Sequence, residues 1–413
     1  MAKEGIVVGL DIGTSKVAAI IGEIDENEQI EVLGVGISPS KGLRKGIVIN
    51  IDATTDAIYK AVSSAEMVSG IKVESVIAGI AGEHIKGLNN HGVVIIPNKR
   101  NRFVSQADVK RAINQAKDME IPSDRSILDV IPREFIVDDQ KGIKDPVGMA
   151  GSRLEVLTHI ITGSITSVQN IVKAIENAGL RVDDIVLQPL ASGDAVLEPD
   201  ERELGVILVD IGAGTTDIVI YVKGSIWHTG VIPIGGEQIT NDIAIGLRTP
   251  LPKAEEIKKS SGCAMVSMVN SDEFIEVPGV GGRKPKVLPK SALAEIIEPR
   301  MEEILEIIYK EVQASGYKGM FPAGVVITGG ASMLSGLAEL AEQMFEMPVR
   351  IGYPREVKGL NERVKDPIFA TGIGLVINGM RRAESKNNKK RTIRSDHITT
   401  LMRRMRDWFS SYF

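Results

Sequence analysis

Apolar residues arrive along this chain in short blocks separated by glycines and charged turns. Residues 6–11, 17–24 and 30–37 form three such blocks in succession, the pattern of a β-meander. Asp52 then caps a helix expected to run to about Ser69, and a buried strand follows over 73–80, so the chain opens β-β-β-α-β. After Ser164 come a helix to Asn177, a strand over 182–187 and a helix starting at Pro189. A second meander begins at Leu204, with strands predicted over 205–210, 217–222 and 226–234. It repeats the opening order, which marks an internal duplication of fold rather than a short-period solenoid.

Each half is interrupted. Residues 83–162 offer short strands near 93–96 and 127–137, one helix after Ser105, and loops at Pro122 and Asp145-Pro146, which reads as a small inserted α+β unit. The second insertion holds a helix after Pro252, a Gly/Lys/Pro-rich stretch over 278–285 that reads as a mobile loop, and a long helix from about Pro289 to Ser315. A strand over 324–328 and helices over 334–345 and 368–380 close the body. The predicted fold is therefore α/β, with two duplicated halves. The expected partition is 1–82 with 163–193 as the first core unit, 83–162 as its insert, 194–243 with 323–380 as the second core unit, and 244–322 as its insert. A flexible basic linker over 381–397 and an amphipathic helix over 398–413 complete it.

Composition narrows the class. With 413 residues, 43% hydrophobic and 25% charged, the chain can bury several cores. The single cysteine, Cys263, excludes a disulfide framework and structural zinc, and His84, His91, His159, His228 and His397 show no metal-ligand spacing. Charge is divided unevenly. Residues 381–413 hold ten of the 49 Lys/Arg but three of the 54 Asp/Glu, so a +7 tail follows a −12 body. An acidic body argues against nucleic acid as a partner. No apolar run reaches the length of a spanning helix and the start lacks a secretory core, so a cytoplasmic chain with peripheral membrane contact is expected.

The candidate chemistry lies in the duplicated strings. Asp11-Ile12-Gly13-Thr14-Ser15-Lys16 and Asp210-Ile211-Gly212-Ala213-Gly214-Thr215-Thr216-Asp217 each end a strand in Asp-x-Gly and turn through small hydroxyl residues into the next. Such a hairpin tip offers backbone N–H groups and hydroxyls to phosphate, and its Asp can hold a hydrated Mg²⁺. One Asp-x-Gly is ordinarily a plain turn; two at matching positions could grip one polyphosphate from both sides. A third string, Thr328-Gly329-Gly330-Ala331-Ser332, follows a buried strand and is expected to lead directly into a helix whose N-terminus favours phosphate. Glu255 and Lys258 share a helical face, as ribose and base contacts would, although such pairs are usually surface ion pairs.

Together these strings resemble the actin, Hsp70 and sugar-kinase superfamily of ATP-binding proteins. Asp11 to Lys16 and Asp210 to Asp217 look like its two phosphate segments, and Thr328 to Ser332 like its adenosine segment. Gln188-Pro189-Leu190-Ala191-Ser192 and Phe369-Ala370-Thr371-Gly372 look like its connecting segments. The resemblance implies ATP and Mg²⁺ as ligands, with Asp11 and Asp210 coordinating the ion through water and Gln188 orienting the attacking water. Gly235, Gly236 and Glu237 join the candidate nucleotide contacts.

The tail separates members of that superfamily. On a helical wheel Ile398, Leu401, Met402, Met405, Trp408, Phe409, Tyr412 and Phe413 fall within an arc of about 140°, flanked by Arg404 and Arg406, with Arg403 on the polar side. Four of the sixteen aromatic residues crowd the last six positions. This suits an anionic lipid surface, although most amphipathic helices pack on their own protein. Body and tail together resemble the FtsA family of bacterial cell-division proteins. That resemblance implies ATP-dependent protofilaments with at most weak hydrolysis, and tethering of FtsZ to the cytoplasmic membrane at the division site. It also implies docking of the FtsZ C-terminal peptide on the second insert near Arg300, and later division proteins as partners. A small-molecule kinase or a pilus-assembly ATP-binding protein of the same superfamily is the alternative.

Overall fold

The structure is a computed structural model that describes residues 5–24, 30–96, 103–317, 319–355, 357–359 and 362–392. The expected terminal helix over 398–413 lies outside the described residues, as do His397 and the rest of 393–397.

Two sheets built on one plan carry the body. In the first, the strands run Arg181–Leu187, Ser75–Ile80, Val7–Ile12, Lys16–Ile24, Ile30–Pro39 and Val357–Gly359. The second runs Val349–Ile351, Val325–Thr328, Val206–Ile211, Thr216–Val222 and Ser225–Ile232. Each central strand, Val7–Ile12 or Val206–Ile211, pairs antiparallel with the strand after it and parallel with one from farther along the chain. Helices cover both faces, and all six residues of Val206–Ile211 are buried, which explains the apolar run Val206 to Val209 that leads to Asp210.

The helix of the first half, Ile51–Ser69, is capped by Asn50, whose side chain accepts from the Ala53 N–H, and not by Asp52, which sits in the first turn. The last helix, Ala370–Thr392, continues past Met380 into residues that the sequence pattern assigned to the linker. It crosses helix Gln188–Val196 so closely that a Cβ on Gly374 would lie 1.7 Å from the Ala191 carbonyl oxygen. Its early turns also lie against strand Val7–Ile12, where Gly9 and Gly372 meet.

The first insert is a four-stranded sheet in the order Lys86–Ile95, Arg153–Ser164, Arg125–Val137, Gln140–Ile143, backed by helix Gln106–Lys117 with a capping box at Ser105. The sequence pattern missed its central strand, Arg153–Ser164. That strand alternates only over its first residues and is buried on both faces from Thr158 to Gly163. In the second insert the stretch read as a mobile loop connects the two strands of a hairpin, Phe274–Val277 and Lys286–Pro289, ahead of helix Lys290–Ala314.

The first insert docks on the edge strand of the second half. Arg133 stacks its guanidinium 3.9 Å from the Trp227 ring, and Ser225 Oγ donates to the Arg133 carbonyl. At the centre, buried His159 bridges Asn89 Oδ1 and Thr229 Oγ1, each at 2.8 Å. Asn89 Nδ2 donates to the Trp227 carbonyl, which turns its Oδ1 toward His159 as an acceptor. The imidazole therefore carries a proton on Nδ1. Burial, with His228 and Arg133 nearby, pushes its pKa down to about 3.

As pH falls below about 6.5, the unfolded chain protonates this histidine and the folded chain does not, so stability is lost on acidification. His159→Gln keeps a donor and an acceptor without the titration. The slope of unfolding free energy against pH between about 6.5 and 4 should be shallower in the variant by up to roughly 1.4 kcal/mol per pH unit. Equal slopes in urea titrations of the two proteins would mean that His159 is protonated in the folded state.

Candidate functional site

The duplicated strands bring their ends together. In each hairpin the first glycine closes the turn in the same way, Gly13 N–H to the Lys16 carbonyl and Gly212 N–H to the Thr215 carbonyl, both at 2.9 Å. The tips face one another closely enough that a Cβ on Gly214 would stand 2.7 Å from Thr14 Oγ1. Asp11 and Asp210 are both buried at the matching ends of their strands, and Asp217 is buried beside them. The two halves of the chain thus meet tip to tip over three buried carboxylates, and this junction is the candidate cleft.

The surroundings of the three carboxylates are unequal. Asp11 has Lys16 Nζ at 3.5 Å and accepts from Gln188 Nε2 at 3.2 Å. Lys16 also donates to the Ile368 carbonyl at 2.5 Å and lies 5.3 Å from the Phe369 ring centre, so the first tip is tied to the second connecting segment. Asp210 Oδ2 accepts from Ser192 Oγ at 2.5 Å. Asp217 accepts from Thr215 at one oxygen, while its Oδ1 is buried without a partner.

Burial raises the pKa of Asp11 against the pull of Lys16. Burial and the Asp11 charge raise that of Asp210, and burial with Asp210 close by drives Asp217 well above the carboxylate range. Three buried carboxylates with one lysine favour uptake of positive charge; among the described residues no group of three acids, histidines or cysteines is placed to ligate a metal ion directly, so a divalent cation accompanying a polyphosphate would be held through water.

Gly235, Gly236 and Glu237 lie against the second tip, with Gly236 N–H bonded to the Gly212 carbonyl and Glu237 N–H to the Ala213 carbonyl, both at 2.9 Å. Lys258 Nζ donates to the Gly236 carbonyl at 2.8 Å and pairs with Glu255 at 2.7 Å. Thr240, which the sequence reading did not single out, accepts from Lys258 at 2.7 Å and bonds Glu255. Burial would raise the Glu255 carboxyl, but hydrogen bonds from Lys258 and Thr240 hold it at about 2. The pair is a bonded wall of the cleft rather than a solvated surface contact.

The third string departs from expectation. Gly330–Met333 form one 3-10 turn, and the α-helix begins at Leu337 after Gly336, so no α-helical N-terminus stands at this string. Gly329, at φ 86°, passes against Asp210, where a Cβ would lie 2.3 Å from Oδ1. Ser332 spends its hydroxyl on the Gly329 carbonyl at 2.7 Å and is buried, while Gly330 and Ala331 complete the turn.

Arg300 stands apart from the cleft on helix Lys290–Ala314, paired with Asp242 at 2.5 Å and with Glu303. Sequence reasoning also passed over the roles of Ser192, Thr371 and Asp217, although each falls inside a string it quoted. The signal available was their place in those strings; burial and partners were not.

Duplicated sheets, each ending in an Asp-x-Gly hairpin and facing across one cleft, define an actin-like ATPase fold. Solved structures agree on the fold. The chain superposes on a PilM–PilN type IV pilus biogenesis complex structure with a TM-score of 0.66 at 18% identity, covering 91% of this chain and 98% of that one. It superposes on MreB 5 of Spiroplasma citri bound to AMPPNP with 0.52 at 14% identity, covering 95% and 100%.

The chain belongs to the FtsA family of cell division proteins. It is 48% identical to the cell division protein FtsA of Pseudomonas aeruginosa over 91% of this chain and 90% of that protein. Against that of Neisseria meningitidis the identity is 50%, over 89% and 88%, and against that of Escherichia coli K12 it is 39%, over 99% and 98%. The family model described as "Cell division protein FtsA" matches residues 207–374, and one described as "SHS2 domain inserted in FTSA" matches residues 82–162.

Proposed function

We propose that this chain is an ATP-binding, polymerising cell-division protein that tethers FtsZ filaments to the cytoplasmic face of the membrane and recruits later division proteins. The observation that carries the reading is the convergence of two Asp-x-Gly hairpins on one cleft, in a chain of the FtsA family. A bound Mg²⁺ would neutralise the polyphosphate, held through water by Asp11 and Asp210. Within the segments Gly13 to Lys16 and Gly212 to Thr216, the N–H groups at the tips, those of Thr14, Ser15, Ala213 and Gly214, would donate to phosphate oxygens, and Gly235 to Glu237, Glu255, Lys258 and Gly329 to Ser332 would border the nucleoside. Gln188 commits its Nε2 to Asp11 and to the Ile12 carbonyl at 3.3 Å, which leaves its carbonyl oxygen to orient water.

Membrane attachment rests on the sequence of the tail. Arg403, Arg404 and Arg406 contribute on the order of 1 kcal/mol each near an anionic surface, so one tail binds reversibly and a filament of linked tails holds. Docking of the FtsZ peptide at Arg300 requires that residue to exchange Asp242 or Glu303 for the peptide.

The experiment is co-sedimentation with anionic liposomes, ATP and FtsZ varied one at a time. Deleting residues 398–413 should abolish pelleting with lipid and leave ATP binding intact. Pelleting of the truncated chain would overturn the tail's role, and rapid sugar-dependent ATP consumption would favour a kinase instead.

A further inference from the structure

Two buried hydroxyls meet behind the second carboxylate. Ser192 is fully buried on helix Gln188–Val196, and Thr371 is buried at the start of helix Ala370–Thr392. Ser192 Oγ lies 2.5 Å from Asp210 Oδ2 and 2.9 Å from Thr371 Oγ1, and Thr371 Oγ1 lies 3.4 Å from the same carboxylate oxygen. Each hydroxyl has one proton to give. With the proton of Ser192 committed to the carboxylate, Thr371 donates to Ser192, and the chain from Thr371 through Ser192 to Asp210 is polarised in one direction.

Asp210 Oδ1 is left out of this chain and lies against Gly329, where nothing larger than hydrogen fits. A carboxylate held at one oxygen cannot turn about its Cβ–Cγ bond without breaking its shortest hydrogen bond. Its other oxygen is therefore set before any ligand arrives, the condition under which a positioned group binds without reorganisation.

We infer that Ser192 and Thr371 are positioning residues that hold Asp210 in the orientation needed by a hydrated divalent cation on the nucleotide. The inference rests on the proposed reading of Asp210 as a cation-organising carboxylate. Neither hydroxyl touches the ligand, so their removal acts on the cation-dependent part of affinity alone.

The test uses the full chain and a fluorescent ATP analogue, with affinity measured in Mg²⁺ and again in EDTA. Ser192→Ala should weaken binding about tenfold in Mg²⁺, the size expected for losing a hydrogen bond to a charged group, Thr371→Val about fivefold, the size for one between neutral hydroxyls, and each about twofold or less in EDTA. Thr371→Ser, which keeps the hydroxyl, should bind as the parent does. Equal losses in both buffers, or none in either, overturn the inference, because a packing role moves both together. Asp210→Asn is the separate control. If it leaves the Mg²⁺ dependence of affinity intact, the underlying reading of Asp210 fails. If it removes that dependence while Ser192→Ala and Thr371→Val preserve it, only the positioning inference fails.

Discussion

In Asp210→Ala, Mg-ATP no longer raises the unfolding midpoint, while the ligand-free variant unfolds at or above the midpoint of the parent. Both halves of this result follow from burial. Asp210 is 8% exposed, and burial together with the Asp11 charge raises its pKa, so at neutral pH its ionised form opposes folding. Removing it takes one of three crowded charges away and relieves Asp217 as well.

The variant leaves the buried Ser192 hydroxyl without its carboxylate acceptor, a cost of about 1–3 kcal/mol. Relief from desolvation and from the Asp11 charge acts in the opposite direction. In the parent, saturating ligand at about one hundred times its dissociation constant contributes about 2.7 kcal/mol. Loss of the whole increment is therefore readily visible in differential scanning fluorimetry with and without Mg-ATP. A ligand-induced rise that persists in the variant would remove Asp210 from the site.

The second large effect belongs to Gly374. A methyl group there would lie 1.7 Å from the Ala191 carbonyl oxygen and 2.2 Å from its carbon, both backbone atoms of the crossing helix. Helix Gln188–Val196 cannot yield by a rotamer change, so the two helices must separate, and with them the packing on strand Val7–Ile12. Gly374→Ala should destabilise the protein by about 3 kcal/mol or more, although alanine in an open helix is favoured over glycine by about 1 kcal/mol.

Gly379, on the same helix, is the internal comparison. A Cβ there meets Ile77 Cδ1 at 2.3 Å and Val7 Cγ1 at 2.5 Å, side-chain atoms rather than the backbone of a crossing helix. Gly379→Ala should cost less than about 1.5 kcal/mol. Urea unfolding of the two variants gives the comparison. Equal costs would mean that the helix crossing is looser than described.

Much of the fold was legible because each element carried its own signal. The meanders showed as apolar blocks, and the first insert announced its helix after Ser105. What escaped was decided by contacts. Arg153–Ser164 lacks sustained alternation because a second surface covers it, and the last helix outran its apolar pattern. The cleft divides in the same way. Asp11 and Asp210 could be paired by their matching strings, whereas Ser192 and Thr371, inside quoted strings, and Thr240, outside them, acquire their roles only from what stands beside them.

By itself, the sequence determined the duplication, the two Asp-x-Gly turns, the inserts and the division of charge between an acidic body and a basic, aromatic tail. These are local properties, set by residue type and spacing along the chain. Only the tertiary structure decided that the two tips share one cleft, that the buried carboxylates outnumber the lysine beside them, and that Ser192 and Thr371 stand behind Asp210. Hydrogen bonding joins Asp210 to Thr371 across 161 positions and Ser192 to Thr371 across 179, and neither pairing repeats a string that could be matched along the chain.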